Sequence, residues 1–280
     1  MRNFTFKGLF LTAVFMLLGC FSIQAADDDL ITKQITIKLD KAGTLPNKIA
    51  SSEMYKITNL KIIGEINGTD WNMIREMAGR DNRGYGTEGK LSVLDLSEAK
   101  IVKGGDSYYP GDNCYTSNDE IGEKAFTDCS RLTSLTLPVG ITSIGYDAFA
   151  YCSGLTSLTL PAGITSIGEF AFSYCSGLTS IYVYAEKVPR IGRYAFEGCA
   201  SRKCTLYVPK GTYDNYRLSE FGYFENIVEF DATGIDKTTT STDVEEVSRY
   251  SADGQRLAVP VKGLNIVKYS DGSARKVVVK

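Results

Sequence analysis

The sequence predicts a repeat solenoid, in which short parallel strands stack and short helical or irregular turns connect them, followed by a small antiparallel β module. Four similar segments recur at intervals of 23, 23 and 24 residues, and they begin at Ile121, Ile144, Ile167 and Ile191. Nearer the C-terminus, short alternating runs are separated by Asp-Gly dipeptides at 253–254 and 271–272, which favour hairpin turns. The recurrence predicts the solenoid, and the hairpins predict the antiparallel module.

The interval between the segments lies in the range of about 20–29 residues that is typical of leucine-rich repeats. In the second segment the leucines Leu155, Leu158 and Leu160 alternate with Ser157 and Thr159. This alternation predicts a strand with leucines inside and hydroxyl groups outside. One such unit cannot bury its apolar side alone, so the units must stack into an array of leucine-rich repeats.

Two further positions recur in every segment and predict buried columns. We expect the phenylalanines to stack at strand spacing, about 4.8 Å, and the cysteines to fill the core as reduced thiols. The predicted repeat core therefore comprises Phe126, Phe149, Phe172, Phe196, Cys129, Cys152, Cys175 and Cys199. Each phenylalanine is expected on a helical turn, and the glycine before that turn, as at Gly145, to permit a sharp bend.

Disulfides and zinc are the alternatives for the repeated cysteines. Equivalent positions in successive coils would each face two neighbours, which pairwise disulfides cannot satisfy. We expect no metal, because the sequence has no histidine and no C-x-x-C pair. Cys114 and Cys204 fall outside the repeated position, and a disulfide between these two stays open.

The N-terminus is typical of an export signal. It has a basic start and an apolar run over residues 9–18 that is too short to span a bilayer. Cleavage after Ala25 would remove residues 1–25 as a signal peptide. The alternative is lipid attachment at Cys20, because residues 17–20 (Leu-Leu-Gly-Cys) are similar to a bacterial lipobox. Either outcome predicts an exported protein.

Residues 26–102 are expected to hold N-terminal capping and degenerate repeats. Over residues 103–119, several Gly, Asp and Tyr residues interrupt the repeated leucine pattern, and this segment is predicted to be an insertion loop. The repeats with their C-terminal cap occupy 120–230. Small polar residues predict a linker at 231–243, and the small β module occupies 244–280.

Three helical segments are expected around the array. A short helix is predicted from Thr44 through Ser51, and a longer one capped at residues 67–70 and ending near Gly79. A third helix is predicted in the C-terminal cap, because four apolar residues there are spaced nearly as on one face of a helix: Tyr213, Tyr216, Leu218 and Phe221. These helices would close the two ends of the array.

Composition narrows the functional classes. The net charge is −2, which gives no electrostatic basis for binding nucleic acid. The absence of histidine removes the commonest general base and the usual partner of a nucleophilic serine or cysteine. We therefore expect no enzyme, no catalytic residue and no cofactor. Membrane contact is expected only through a lipid anchor.

The repeated pattern I-G-x-x-A-F-x-x-C-x-x-L-T-S-L-T-L-P resembles the BspA-type leucine-rich repeat of surface proteins from Bacteroides-group bacteria. The resemblance covers residues 121–209 closely and residues 44–102 loosely. The tail at residues 259–280 is similar to the short C-terminal sorting modules of that group. The resemblance implies adhesion, with host matrix proteins or other cell-surface proteins as partners, and location at the cell surface or outside the cell.

Tyrosines supply the candidate contact surface, because a tyrosine gives a large contact area for little lost entropy. Some lie in the predicted loop, some beside the repeated cysteines and some on the last strands; they are Tyr108, Tyr109, Tyr115, Tyr151, Tyr174, Tyr182, Tyr184 and Tyr207. Solvated strand surface and packing of the turns are the plain alternatives. A glycan-binding surface protein, or a structural component of the envelope, remains a second interpretation of the function.

Overall fold

The computed structural model describes residues 29–109 and 114–232, and the backbone of four strands between residues 246 and 279. The chain divides into two units, Met1–Ala232 and Thr233–Lys280, and each is described by itself. The predicted signal peptide, Cys20 and most of the predicted linker lie outside the described residues. No helix in the described part of the chain is long and apolar enough to cross a membrane.

Eight parallel strands form the main sheet of the first unit. Strands are numbered in chain order, and those of this sheet pair in the order β1 (Ile35–Leu39), β2 (Asn59–Ile66), β3 (Val93–Ile101), β7 (Ser134–Thr136), β9 (Ser157–Leu160), β11 (Ser180–Val183), β13 (Thr205–Pro209) and β14 (Asn226–Phe230). We call each stretch of chain from one of these strands to the next a coil. Each coil adds one strand, so the chain has a leucine-rich-repeat fold with parallel strands.

A second sheet runs along another side of the coils. Its four strands have only two residues each and pair in parallel: β6 (Glu120–Ile121), β8 (Ser143–Ile144), β10 (Ser166–Ile167) and β12 (Arg190–Ile191). The isoleucines of the first three strands are buried. The backbone ladder continues past these strands, since the amide of Gly168 donates to the carbonyl of Ile144 at 2.7 Å.

The phenylalanines of the repeats form a stack through the core. Neighbouring ring centroids in the series Phe126, Phe149, Phe172 and Phe196 lie 5.4, 5.0 and 5.5 Å apart, with interplanar angles of 14° or less. At one end the ring of Trp71 packs on Phe126 at 5.2 Å, and at the other Phe224 packs edge-on against Phe196. The turns that carry these rings are hydrogen-bonded turns rather than helices.

The repeated cysteines are free, buried thiols beside this stack. The thiols of Cys152, Cys175 and Cys199 donate to the carbonyl oxygen of the phenylalanine one coil earlier, at 3.1, 3.1 and 3.2 Å. Each of these three cysteines therefore joins two coils without a covalent bond. Cys204 is also a free buried thiol, so the disulfide with Cys114 that the sequence left open is not formed.

The glycines before the turns serve a different purpose from the one expected. Gly145, Gly168 and Gly192 do not have positive φ. A Cβ atom at Gly192 would lie 2.2 Å from the amide nitrogen of Glu169, and one at Gly168 would lie 2.5 Å from a backbone carbon of the preceding coil. Glycine is required here because adjacent coils approach closely, not because the chain bends sharply.

Helix α1 (Gly68–Met77) lies between β2 and β3 and begins at the expected cap. Its Asn67 and Asp70 form a capping box, in which each side chain accepts a backbone N–H. The short helix expected from Thr44 through Ser51 is reduced to one 3₁₀ turn at Leu45–Asn47. A proline at the second position of that turn, followed by an asparagine, gives the segment little tendency to extend.

The predicted insertion loop contains a β-hairpin. Strands β4 (Gly104–Tyr109) and β5 (Cys114–Thr116) pair antiparallel, and residues 110–113 between them are outside the described residues. The hairpin packs on α1, where the hydroxyl of Thr69 donates to Asp106 at 2.9 Å. The high content of Gly and Asp concealed these strands because such residues are rare in strands.

The C-terminal cap contains helix α2 (Tyr213–Arg217), a 3₁₀ helix at Glu220–Tyr223 and strand β14. Tyr216 and Phe221 are buried, but Leu218 is 85% exposed, so the near-helical spacing does not extend to it. Leu218 follows the last residue of α2, where the chain leaves the helix.

The second unit has a four-stranded antiparallel sheet in the order β16 (Arg256–Leu257), β15 (Glu246–Ser251), β17 (Gly263–Tyr269) and β18 (Ala274–Val279).

Candidate functional site

The outer face of the main sheet changes character from one end to the other. At the N-terminal end it is charged: the ammonium group of Lys61 on β2 lies 3.2 Å from Asp95 and 2.6 Å from Glu98, both on β3. Hydrogen bonds from the ammonium to Glu98 and Asp95 raise the pKa of Lys61. Burial acts to raise the pKa of Asp95, but hydrogen bonds from Ser97 and Lys61 outweigh burial and lower it. This end is a self-paired ionic surface.

The middle of the face carries the repeated hydroxyl groups, and most of these already form hydrogen bonds within the protein. The hydroxyls of Thr133, Thr156 and Thr179 each donate to a backbone carbonyl of the preceding coil at 3.1 Å. On the neighbouring positions, Ser180 donates to the hydroxyl of Ser157 at 2.9 Å. These side chains stabilise the stack of coils, so their recurrence has a structural explanation.

The C-terminal end of the face is aromatic. The rings of Tyr182 on β11 and Tyr207 on β13, which are register partners, stack at 4.4 Å with an interplanar angle of 6°. Phe230 at the end of β14 packs edge-on against Tyr182 at 5.9 Å and against Tyr184 at 5.1 Å. Three of the predicted tyrosines are therefore brought together, and Phe230 joins them. We call these four residues the aromatic cluster.

An apolar groove of 370 Å³ lies beside the aromatic cluster and shares Tyr184 with it. Its walls come from the strands and from the loops that follow them in the first two repeats; they are Thr136, Leu137, Val139, Thr159, Pro161 and Ala162. Val139 is 74% exposed, although it is a large aliphatic residue. Aliphatic side chains left open beside an aromatic cluster are typical of the centre of an interaction surface.

The aromatic cluster is packed firmly enough to keep its shape. Tyr182 and Tyr207 are partly buried, whereas Tyr184 is exposed. Burial raises the pKa of Tyr182, and the neighbouring Tyr207 adds to the rise. Its phenol is therefore neutral at physiological pH and available for hydrogen bonds. An ordered, uncharged aromatic surface loses little conformational entropy on binding.

The three tyrosines of the hairpin, Tyr108, Tyr109 and Tyr115, differ in how far their side chains are exposed. Tyr108 is buried against Trp71 and donates its hydroxyl hydrogen bond to the carbonyl of Glu123 at 2.9 Å, so it is not part of any exposed surface. Tyr109 is partly buried, with the Arg75 guanidinium 5.3 Å from its ring centroid. Tyr115 is exposed. Only Tyr115 of the three is well placed to meet a partner.

Tyr151 and Tyr174 lie on the turn side of the coils, in sequence positions that directly precede the repeated cysteines. Their rings stack at 4.9 Å with an interplanar angle of 2°, and both side chains are about half exposed. The ring of Tyr174 also covers Gly198, the residue at the same position of the next coil. The two tyrosines form an exposed stack that is separate from the aromatic cluster.

The sequence did not identify Phe230 or the residues other than Tyr184 that line the groove. Phe230 lies outside the repeats, and its position depends on the pairing of β14 with β13. Val139 and Pro161 looked like ordinary residues of a turn. The sequence did contain a signal for Val139: the position after the proline that ends the strand is apolar in both of the first two repeats, where it is Val139 and Ala162. No group of His, Cys, Asp and Glu side chains in the described part of the chain is arranged to hold a metal.

Residues 113–227 match the model of the BspA type leucine rich repeat region, in six copies. The matched range includes the four repeated segments, the C-terminal cap helices and the start of β14. Leucine-rich-repeat arrays commonly present extended surfaces to other proteins, and the match therefore supports a role in protein interaction. This repeat family is typically non-catalytic, and its members are typically surface or secreted proteins.

Comparison with solved structures finds a crystal structure of a leucine-rich repeat protein from Bacteroides ovatus. The match covers 71% of this chain at 22% sequence identity, with a TM-score of 0.34. It covers 42% of that protein, so this chain spans less than half the length of the solved relative. A comparison with curated proteins finds no match.

Proposed function

We propose that this protein is an adhesin-like, non-catalytic binding module of the bacterial surface or the secreted fraction, and that the aromatic cluster and the adjoining groove bind a host or cell-surface protein. The observation that carries the proposal is the convergence of Tyr182, Tyr184, Tyr207 and Phe230 at one end of an otherwise polar sheet. Aromatic anchors beside an aliphatic groove are typical of the residues that dominate protein interfaces. Tyr115 of the hairpin is a separate exposed tyrosine that we include as a second candidate contact.

The arrangement of the rings favours a protein over a glycan. Sugars bind aromatic side chains through the flat face of the ring, and in the aromatic cluster one face each of Tyr182 and Tyr207 is covered by the other. Phe230 further encloses Tyr182 and Tyr184. Ring edges, hydroxyl groups and the aliphatic groove remain, and these suit an apolar side chain with neighbouring hydrogen-bonding groups.

A capture experiment tests this function. The purified protein is immobilised and exposed to solubilised extracellular matrix, and bound material is identified by mass spectrometry and by glycan analysis. We expect a defined protein that rebinds in pure form and is lost from the Tyr182→Ser/Tyr184→Ser variant. Tyr85→Ser is the matched control, because Tyr85 is 68% exposed and lies outside the aromatic cluster and groove.

Three outcomes would contradict the proposal. One is capture of polysaccharide alone, which would favour the glycan-binding alternative. Another is capture that the Tyr182→Ser/Tyr184→Ser variant retains in full. The third is turnover of a peptide or glycoside substrate by the purified protein, since that would make it an enzyme.

The proposed location rests on the leader and the tail. We propose export by the signal at residues 1–25, with lipid attachment at Cys20 as the alternative to cleavage after Ala25, and a sorting role for the tail at 244–280. Intact mass of the mature protein separates the two N-termini, because a lipid on Cys20 adds the mass of its acyl chains. Deleting residues 244–280 is expected to release the protein from cells if the tail directs it to the surface.

A further inference from the structure

A cavity separate from the main sheet lies between the turn of the fourth repeat and the C-terminal cap. Its volume is 230 Å³, and Ile191 and Phe196 form apolar parts of its wall. The rest of the lining includes two tyrosines and two glutamates. Tyr194 and Glu197 come from the repeat, whereas Tyr223 and Glu220 come from the 3₁₀ helix of the cap.

Tyr194 is held in a conformation that tyrosine rarely adopts. Its φ is 57°, in the left-handed region that favours glycine, asparagine and aspartate. The same position of the second repeat is Asp147, with φ 52°. Tyr194 is nevertheless 59% exposed, so burial of its ring does not offset the strained backbone. Strained residues that remain exposed are found preferentially at functional sites.

The ring of Tyr194 is positioned by its neighbour. It stacks on Phe170 at 5.3 Å with an interplanar angle of 24°, which covers one face. On the opposite wall, the hydroxyl of Tyr223 donates to the carbonyl of Cys199 at 2.8 Å, which fixes that ring. Burial raises the pKa of Tyr223, with smaller contributions from Cys199 and the nearby Glu197 carboxylate. The cavity thus has two oriented aromatic walls.

The charge of the cavity is negative. Glu197 and Glu220 contribute two carboxylates, and no ion pair among the described residues neutralises either one. Arg193 is the one cation among the lining residues and leaves an excess of one negative charge. Aromatic rings and carboxylates around a small cavity attract an organic cation, through the ring quadrupole and through ordinary Coulomb attraction.

We infer that this cavity binds the cationic side chain of a lysine or arginine presented by a partner protein, between Tyr194 and Tyr223 and against Glu197 and Glu220. The inference goes beyond the proposed function, because the cavity is distinct from the aromatic cluster and either site can fail alone. A partner that engaged both would be held at two places on the first unit, and its affinity would exceed that of either contact.

The test uses the full chain and a capped peptide of alternating glycine and serine with one central arginine, and a second with lysine. The control peptide has glutamine at that place. Binding is followed by the NMR shifts of the backbone amides of Gly192, Glu197 and Gly198. We expect saturable shifts with the arginine and lysine peptides, none with glutamine, and weaker binding at higher salt.

Two variants separate binding from folding. Tyr194→Asn removes the ring but suits the left-handed backbone, so binding should weaken about ten-fold or more while the melting temperature stays level or rises. Glu197→Gln/Glu220→Gln should weaken binding and remove its decline with salt, because Arg193 is then the one charged side chain left in the lining. Tyr151→Asn is the matched control, because Tyr151 also has positive φ but does not line the cavity.

The inference is overturned if the glutamine peptide shifts the same amides, or if Tyr194→Asn retains full binding. It is also overturned if the arginine and lysine peptides leave the amides unmoved. If Tyr194→Asn then lowers the melting temperature as well, Tyr194 serves only to stack on Phe170. The capture experiment on the aromatic cluster is unaffected by any of these outcomes.

Discussion

Individual residues with positive φ set the shape of each turn. Two positions per repeat have φ between 52° and 73°, and they are occupied by Lys124, Asp147, Phe170, Tyr194, Asp128, Tyr151, Tyr174 and Gly198. The left-handed region costs a residue with a Cβ atom roughly 1–2 kcal/mol. Aspartate and glycine at these positions are expected, but aromatic residues are not. The aromatic residues therefore point to a surface role that outweighs the strain.

The sequence contains a signal for one of these left-handed positions. We expected the glycine that recurs before each turn, as at Gly168, to provide the bend, but that glycine is needed for close contact between coils. One of the two left-handed positions directly precedes the cysteine, and it is occupied in successive repeats by Asp128, Tyr151, Tyr174 and Gly198. Aspartate and glycine at one position of a repeat indicate a left-handed backbone.

Asp70 is the residue that secures the N-terminal cap. It is fully buried, and its carboxylate accepts from the amides of Gly43 at 2.6 Å, Leu45 at 2.8 Å and Asn67 at 2.9 Å. Asp70→Ala leaves one buried donor (Leu45) and two partly buried donors (Gly43 and Asn67) without an acceptor, and we expect a loss of about 3 kcal/mol in unfolding free energy. Urea denaturation followed by circular dichroism measures the loss.

The matched control for Asp70→Ala is Asp106→Ala. Asp106 accepts one hydrogen bond, from the Thr69 hydroxyl at 2.9 Å, near the same helix but exposed to solvent. We expect Asp106→Ala to change the unfolding free energy by less than about 1 kcal/mol. Equal losses in the two variants would show that the buried carboxylate has no special role.

At the scale of structural elements, the phenylalanine stack joins the coils. Phe149 is fully buried between the rings of Phe126 and Phe172, at 5.4 and 5.0 Å. Phe149→Ala creates a cavity in the middle of the stack, and we expect unfolding free energy to fall by about 3–5 kcal/mol. Thermal and urea melts measure it. An unchanged midpoint for Phe149→Ala would contradict the description of the core.

The thiol column makes stability depend on pH. Burial raises the pKa of Cys129 to about 11 and that of Cys199 to about 12, and it also raises the pKa values of Cys152 and Cys175 well above the ordinary value of a thiol. The thiols therefore stay neutral in the folded state, whereas in the unfolded chain they ionise near pH 8.5–9. Their contribution is complete below about pH 8.5 and is lost as pH rises towards the folded-state pKa values.

We expect unfolding free energy to fall between pH 8 and 10, with a limiting slope of about 1.4 kcal/mol per pH unit for each thiol. Urea denaturation across this range measures the slope. In Cys152→Ala one thiol is missing, so the slope should be smaller by about a quarter of the contribution of the four repeated cysteines. A pH-independent midpoint from pH 8 to 10 would show that the thiols are not excluded from water.

Elements that repeat could be predicted, and elements without a periodic signal could not. The strands β7, β9, β11 and β13 lie where apolar and polar residues alternate, because such alternation over several residues indicates a β-strand with one buried face. The two-residue strands such as β8 are too short to show any period. The hairpin of β4 and β5 was hidden by its composition, and the helix expected from Thr44 to Ser51 was wrong in its length.

At the scale of the whole molecule, the residues that build the array and the residues of the candidate binding surface occupy different positions of the main sheet. The residues that recur fill the core or bond one coil to the next, as Thr156 does with Thr133. The aromatic cluster is made of residues that the first two repeats lack: Thr159 stands in β9 where Tyr182 stands in β11 and Tyr207 in β13. The end of the array therefore has a surface that no other part of the sheet shares.

The candidate site could be predicted only in part for the same reason. Tyr182 and Tyr207 lie on outward positions of neighbouring strands, so alternation alone was enough to place them together on one face. Tyr108 was misplaced because the hairpin turns its ring towards Trp71, and this contact depends on packing between distant segments. Phe230 reaches the cluster only through the pairing of β14 with β13.

The central claim is that recognition belongs to residues that are not shared by all the repeats. The most direct test measures by biolayer interferometry the affinity of the captured partner for two double variants, Tyr182→Ser/Tyr207→Ser and Thr156→Ser/Thr179→Ser. We expect the first to weaken binding by at least about thirty-fold, as loss of central aromatic anchors does, and the second to leave it within about two-fold, since serine keeps the hydrogen bonds. Equal affinity of both variants, or a larger loss in the threonine pair, would contradict the claim.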